Sequence, residues 1–161
     1  VDRGEDNIKP FEWTPSTNSM ITSADIVIVS DYNKGFLSDG DLKVIAAKSK
    51  LSILDSKRKL TDDIIKDFTF IKLNENEYKN NTHLNPENII ITLGEKGASF
   101  KDFHYPSPRP QETIDVSGAG DTFTSSFIIT YFSTGNVGVS IMQANQKSSE
   151  VVSKRGVVTP I

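Results

Sequence analysis

The chain has 161 residues, 36% of them apolar and 24% charged, which suits one compact globular domain with a core of ordinary size. A net charge of −3 gives no basis for nucleic-acid binding through bulk charge, and the lack of cysteine excludes disulfides, thiolate catalysis and cysteine-ligated metals. Apolar runs such as Ile26–Val29 and Ile89–Ile91 fall far short of the roughly 20 residues a membrane-spanning helix needs, so no membrane partner is expected.

Residues 1–20 are polar and aperiodic, with Pro10, Trp13 and Pro15, and read as an irregular segment leading into the domain. No leader-like stretch precedes them, which makes the cytoplasm the default expectation. Ala24–Ser30 reads as a buried strand ending at Asp31, followed by the loop Asp31-Tyr-Asn-Lys-Gly35. Ser38 and Asp41 are spaced as a capping box ahead of a helix carrying Leu42, Ile45 and Ala46. Leu51–Asp55 is a second strand, again closed by an acid. Thr61 is placed to cap a short helix with Ile64 and Ile65. Phe68–Leu73 is a third strand, followed at once by Asn74-Glu-Asn-Glu77, and Asn88–Leu93 is a fourth. A turn over Gly94–Gly97 leads into a further strand, Ala98–Phe103, and the Pro106–Pro110 stretch is a connection. Gly118–Phe132 has the pattern of a buried helix, and a second helix runs from about Val139 to Lys154, with Gly135 and Gly138 between them.

Strands that are apolar throughout, alternating with helices, imply a parallel sheet covered on both faces. Ligands gather at the carboxyl ends of such strands, so the loops after Ser30, Asp55, Leu73 and Leu93 should share one rim. Gly118-Ala-Gly120 opens the long helix. Small residues there let backbone N–H groups approach an anion, which the helix dipole also favours. Asp121, in the first turn, could take a proton from a hydroxyl while those N–H groups neutralise charge on phosphate. Taken alone, Gly-x-Gly-Asp is better read as a glycine turn with an acid that favours a helix N-terminus. The wider context changes that balance.

The run Asp115-Val-Ser-Gly-Ala-Gly-Asp-Thr122 closely resembles the C-terminal signature of the PfkB carbohydrate kinases. Three companions occur in that family's order. Asn74-Glu-Asn-Glu77 resembles its Asn-x-x-Glu motif, Thr92-Leu-Gly-Glu-Lys-Gly97 resembles its Thr-x-Gly-x-x-Gly turn, and Ala144-Asn145 resembles its Ala-Asn pair. The usual alanine-rich continuation is replaced by Gln146-Lys-Ser-Ser149. Two further segments are similar to those of bacterial heptose-7-phosphate kinases. Ser30-Asp-Tyr-Asn-Lys-Gly35 resembles Ser-Asp-Tyr-Gly-Lys-Gly, and Asp55-Ser-Lys57 resembles Asp-Pro-Lys. Asn33 stands where glycine is usual, and asparagine tolerates left-handed geometry better than most residues.

The resemblance implies a three-layer α/β/α Rossmann-type sandwich of the ribokinase kind. It implies ATP and Mg²⁺ as cofactors, leaves room for a monovalent cation and for a homodimer, and makes a sugar or sugar phosphate the substrate. Asp121 would be the catalytic base, and Gly118, Ala119 and Gly120 would form the anion hole. Glu77, ahead of Asn74, would help organise Mg²⁺ and phosphate. Asn74, Thr92, Gly94, Gly97 and Asn145 would lie around the nucleotide. Asp31, Lys34 and Lys57 would face the substrate, although lysines at such positions read nearly as well as solvated surface residues.

The charge run Lys57-Arg-Lys59 reads as solvated, with at most one member facing a phosphate. His83, His104, Trp13 and the phenylalanines suggest no catalytic role. The resemblance covers only the second half of a family member, without the usual substrate motif and lid. The connection from Glu77 to Ile89 is also short, through either contraction or omission, and a true contraction should expose a sheet face or the nucleotide rim. A rival reading is therefore a non-catalytic nucleotide-binding or regulatory module of the same fold. A dinucleotide oxidoreductase is disfavoured, because Gly118-Ala-Gly120 comes late and lacks the early strand, the Gly-x-Gly-x-x-Gly turn and a following acid.

Overall fold

A computed structural model describes residues 8–84, 86–108 and 118–152. Asp115, Val116 and Ser117 of the glycine-rich signature, and Lys154 at the expected end of the last helix, lie outside the described residues.

The elements run α1 (Pro15–Ser23), β1 (Val27–Asp31), α2 (Asp39–Lys48), β2 (Ser52–Ser56), α3 (Asp62–Ile65), β3 (Phe70–Asn74), α4 (Glu75–Lys79), β4 (Ile89–Thr92), β5 (Ala98–Phe100), β6 (Phe103–Tyr105), α5 (Ala119–Thr134) and α6 (Val137–Val152). Six strands form one sheet in the order β1-β2-β3-β4-β5-β6. The first four pair in parallel, while β4–β5 and β5–β6 are antiparallel.

Strand alternation divides the core between the two faces of the sheet. Leu54, Ile71, Leu73 and Ile89 pack with Leu42 and Ile45 of α2 and Ile64 and Ile65 of α3. Ile53, Phe70 and Ile90 pack with Phe123, Phe127 and Ile128 of α5 and Ile141 and Ala144 of α6. The phenylalanines are packing residues here, with Phe70 edge-on to Phe127 at 4.9 Å between centroids.

Helix starts follow local chemistry. Ser38 and Asp41 form a reciprocal capping box at α2, as their spacing implies. Thr61 occupies the cap position of α3 without a side-chain cap bond. Asn33 adopts φ 56°, the left-handed geometry expected of the residue replacing glycine.

Several expectations need correction. The segment read as irregular up to residue 20 contains α1, which begins with Pro15 after a capping box between Thr14 and Thr17. A threonine at the fourth position carries a weaker signal than the usual Glu or Gln. The strand expected over Ala98–Phe103 is instead a tight hairpin, turned at Lys101 with φ 53°. The sheet is also not covered evenly. Among the described residues β1 pairs on one side only, and Ile28 is 44% exposed.

The short connection after Glu77 does not expose the sheet. Leu73, Leu84 and Ile89 are buried, and the buried Asn81 side chain seals the turn. Its Oδ1 accepts from the Leu60 N–H at 2.7 Å, and its Nδ2 donates to the Glu77 carbonyl at 2.9 Å.

Gly97 is the tightest backbone position. Its φ is 97°, and an added Cβ would lie 2.2 Å from the Tyr105 carbonyl oxygen. Gly97→Ala combines a left-handed strain with overpacking against backbone. The expected cost is about 2–6 kcal/mol in urea denaturation, at about 1–3 kcal/mol for each effect. A loss within experimental error would show that the β5–β6 hairpin shifts freely.

Candidate active site

The carboxyl ends of β1, β2 and β3 and the start of α5 meet at one rim. Gly118 caps α5 with φ 78°, a conformation that strains any side chain. The first backbone bond of the helix runs from Thr122 N to Gly118 O. The N–H groups of Ala119, Gly120 and Asp121 therefore have no acceptor within the helix and point outward at its positive end. Asp121 is exposed beside them.

Two hollows flank this helix start. A cavity of about 390 Å³ is bordered by Asp31, Asp55, Lys57, Lys72, Asn74, Glu77, Gly118, Gly120 and Asp121 among others. An adjoining cleft of about 290 Å³ takes in Lys72, Asn74, Thr92, Gly94, Gly97, Ala119, Gly120, Asn145, Ser148 and Ser149. The structure thus brings together nearly all the residues singled out from the sequence. Lys72, Asn74 and Gly120 border both hollows. Lys34 borders neither; it lies in a neighbouring hollow of about 520 Å³ with Asp31, Tyr32 and Phe36.

Asn74 and Glu77 lie together at the start of α4. They form a reciprocal capping box at α4, with Glu77 Oε2 accepting from Asn74 N at 2.7 Å and Asn74 Oδ1 accepting from Glu77 N at 2.8 Å. The cap fixes the Glu77 carboxylate at the cavity wall. Asn145 is 5% exposed and its Nδ2 donates to the Tyr105 carbonyl at 2.9 Å, which ties α6 to the end of β6. The departure at Gln146–Ser149 does not loosen α6, because Ser148 Oγ donates to the Ala119 carbonyl at 3.1 Å.

Lys72 is the residue that sequence reading missed. Its side chain is 7% exposed and its Nζ donates to Asp55 Oδ2 at 2.9 Å. Parallel register sets the two side by side, and Thr124 of α5 also donates to Asp55 Oδ2, at 3.2 Å. An ammonium at the positive end of a helix is unfavourable unless anions balance it. Asp55 supplies one anion, and the outward N–H groups leave room for another. A Cβ at Gly120 would stand 3.3 Å from this Nζ, so glycine there keeps the ammonium and the helix start together. The available signal was a single lysine inside the apolar run Phe70-Ile-Lys-Leu73.

The run Lys57-Arg-Lys59 is not solvated throughout. Lys57 is exposed, with Nζ 4.3 Å from the centroid of the Tyr32 ring. Arg58 instead turns inward, with its side chain 9% exposed, and pairs with Asp31. Burial pushes the Asp31 carboxyl upward, but hydrogen bonds from Arg58, Ser56 and the Asn33 amide outweigh it and hold the group below the usual range. His83 and His104 each bond a backbone carbonyl, of Leu60 and Lys96 respectively.

For Mg²⁺, the donor chemistry fits. Asp55, Glu77 and Asp121 offer hard oxygens to one cavity, although no group of three acidic or histidine side chains among the described residues is clustered tightly enough to hold a metal by itself. A cation that keeps its waters and binds mainly to phosphate oxygens suits such a site.

The same architecture occurs in solved kinases. Ribokinase of Arabidopsis thaliana, complexed with ribose and ATP, superposes with a TM-score of 0.75 at 18% identity, over 89% of this chain and 55% of that one. Ribokinase of Thermotoga maritima gives 0.69 at 17% identity, over 87% and 54%. The fold is therefore a ribokinase-like α/β fold. Among curated proteins, the bifunctional protein HldE of Azorhizobium caulinodans is 27% identical over 168 residues, covering 88% of this chain and 35% of that protein. Deoxyribokinase of Salmonella typhimurium is 39% identical over 61 residues, or 35% of this chain and 20% of that protein. The pattern describing pfkB family carbohydrate kinases matches residues 11–161, and the chain belongs to that family. It spans about a third of the HldE relative and about half of the solved ribokinases.

Proposed function

We propose that this chain carries the nucleotide-binding and phosphoryl-transfer half of an ATP-dependent carbohydrate kinase, acting on a hydroxyl of a sugar or sugar phosphate. The observation that carries this reading is the convergence of Asp121, Lys72, Glu77 and the start of α5 on one cavity, beside a cleft bordered by Thr92, Gly94 and Asn145. The two hollows share Lys72, Asn74 and Gly120, where a triphosphate chain lying in the cleft would enter the cavity.

The chemistry follows from that arrangement. The Asp121 carboxylate takes the proton of the acceptor hydroxyl as its oxygen bonds to the terminal phosphorus, and ADP leaves. The N–H groups of Ala119 and Gly120 and the Lys72 ammonium offset charge on the transferring group. Glu77, with Asn74 beside it, would help hold Mg²⁺ at this cavity, and the ion would supply further charge neutralisation. Positioning and electrostatics carry most of such a reaction.

The 27% identity to HldE and the segments at Ser30–Gly35 and Asp55–Lys57 favour a sugar phosphate as acceptor. Lys57, at the mouth of the cavity, is the cation placed to meet it. The test supplies Mg-ATP and a panel containing ribose, deoxyribose and heptose 7-phosphate, and follows ADP release and acceptor phosphorylation. Turnover with heptose 7-phosphate well above that with the free pentoses is expected. Nucleotide binding without turnover on any acceptor by the full-length wild-type protein would instead favour a non-catalytic nucleotide-binding module.

A further inference from the structure

We infer that Arg58 is a positioning residue that sets the acceptor-side wall of the cavity by clamping β1, β2 and α2 through the Asp31 carboxylate. This rests on the kinase reading above. Arg58 Nε donates to Asp31 Oδ2 at 2.5 Å and one terminal nitrogen to Asp31 Oδ1 at 3.1 Å, a bidentate pair. The same terminal nitrogen donates to the Leu37 carbonyl at 2.8 Å, and the other to Asp39 Oδ1 at 2.6 Å, in the first turn of α2. The guanidinium therefore holds both ends of the loop between β1 and α2.

Asp31 is fully engaged by this arrangement. Ser56 Oγ donates to its Oδ2 at 2.7 Å and the Asn33 amide to its Oδ1 at 3.0 Å. Both oxygens are committed within the protein, so Asp31 acts on the substrate through the loop it anchors. The loop carries Tyr32 and the left-handed Asn33, and Tyr32 lies under the Lys57 ammonium. Lys57 directly precedes Arg58, so the clamp fixes the backbone of both partners of that contact. Tyr32 and Lys57 border the same cavity as Asp121. A lysine at position 58 could not reproduce the clamp, because an ammonium lacks the planar fork that meets both Asp31 oxygens at once.

The test compares the full wild-type chain with Arg58→Gln and Arg58→Lys in two measurements. The first is amide hydrogen exchange over residues 31–39, which needs no turnover. Both variants should exchange faster there, with β3 and α5 unchanged. The second is steady-state phosphoryl transfer from Mg-ATP to ribose and heptose 7-phosphate. The acceptor KM should rise by about tenfold or more, in line with the penalty for misplacing a positioning group, while the KM for ATP stays put. Equal rises in both KM values, or unchanged exchange at residues 31–39, would overturn the assignment. If the full-length wild-type protein turns over no acceptor, the kinase reading fails on that count alone, and the exchange result still decides whether Arg58 orders the loop. If Arg58→Gln does not fold, Arg58→Lys answers both questions.

Discussion

Asp121→Asn is expected to lower phosphoryl transfer by about 10²–10⁴-fold, the usual contribution of a positioned general base. Affinity for ATP should be essentially unchanged. The amide is isosteric with the carboxylate but has no basic oxygen to take the hydroxyl proton. The residue is exposed in the first turn of α5, and its side chain is not needed to cap the helix, because left-handed Gly118 occupies that position. Stability should therefore change by no more than the roughly 0.3–1 kcal/mol that a first-turn acid contributes through the helix dipole. The measurement is kcat with Mg-ATP and the best acceptor of the panel, alongside nucleotide affinity by calorimetry. A variant that turned over like the wild type would remove Asp121 from the role of base.

Lys72→Met should act on both stability and nucleotide binding. The substitution leaves the Asp55 carboxylate, itself only 14% exposed, with the Thr124 hydroxyl in place of an ammonium. Removing one member of a buried ion pair costs about 3–5 kcal/mol. Urea denaturation should show a value near the lower end, because the open cavity lets water reach Asp55. Adding Asp55→Asn in the same chain should restore much of the loss, since no uncompensated charge then remains. Affinity for ATP should fall by about tenfold or more, the scale of one hydrogen bond to a charged group. A stability change below about 1 kcal/mol would mark the pair as behaving like a surface contact.

These two residues differ in how they could be found. Asp121 belongs to a contiguous signature, so its neighbours in sequence announce it. Lys72 and Asp55 are 17 positions apart, and only the register of two parallel strands places them side by side. The same holds for Arg58 and Asp31, 27 positions apart. The charge run around Arg58 looks solvated when read as a string, because nothing local shows that its middle member turns beneath the β1–α2 loop.

The sequence by itself determined the four parallel strands to within a few residues, the capping box at Ser38, the left-handed tolerance at Asn33 and the glycine-rich start of α5. Each depends on short-range effects: a short run that is apolar throughout, a side chain reaching an amide three residues away, or the tolerance of glycine and asparagine for left-handed backbone. Tertiary structure alone decided that Lys72 joins the site, that Asp31 is occupied by Arg58 and Ser56, that Asn81 seals the short connection, and that the last strand folds back into a hairpin. These outcomes depend on which buried polar groups meet across the sheet. Burial makes an unpaired charge or amide costly, so each finds a partner, but the partner is chosen by strand register and helix packing rather than by distance along the chain.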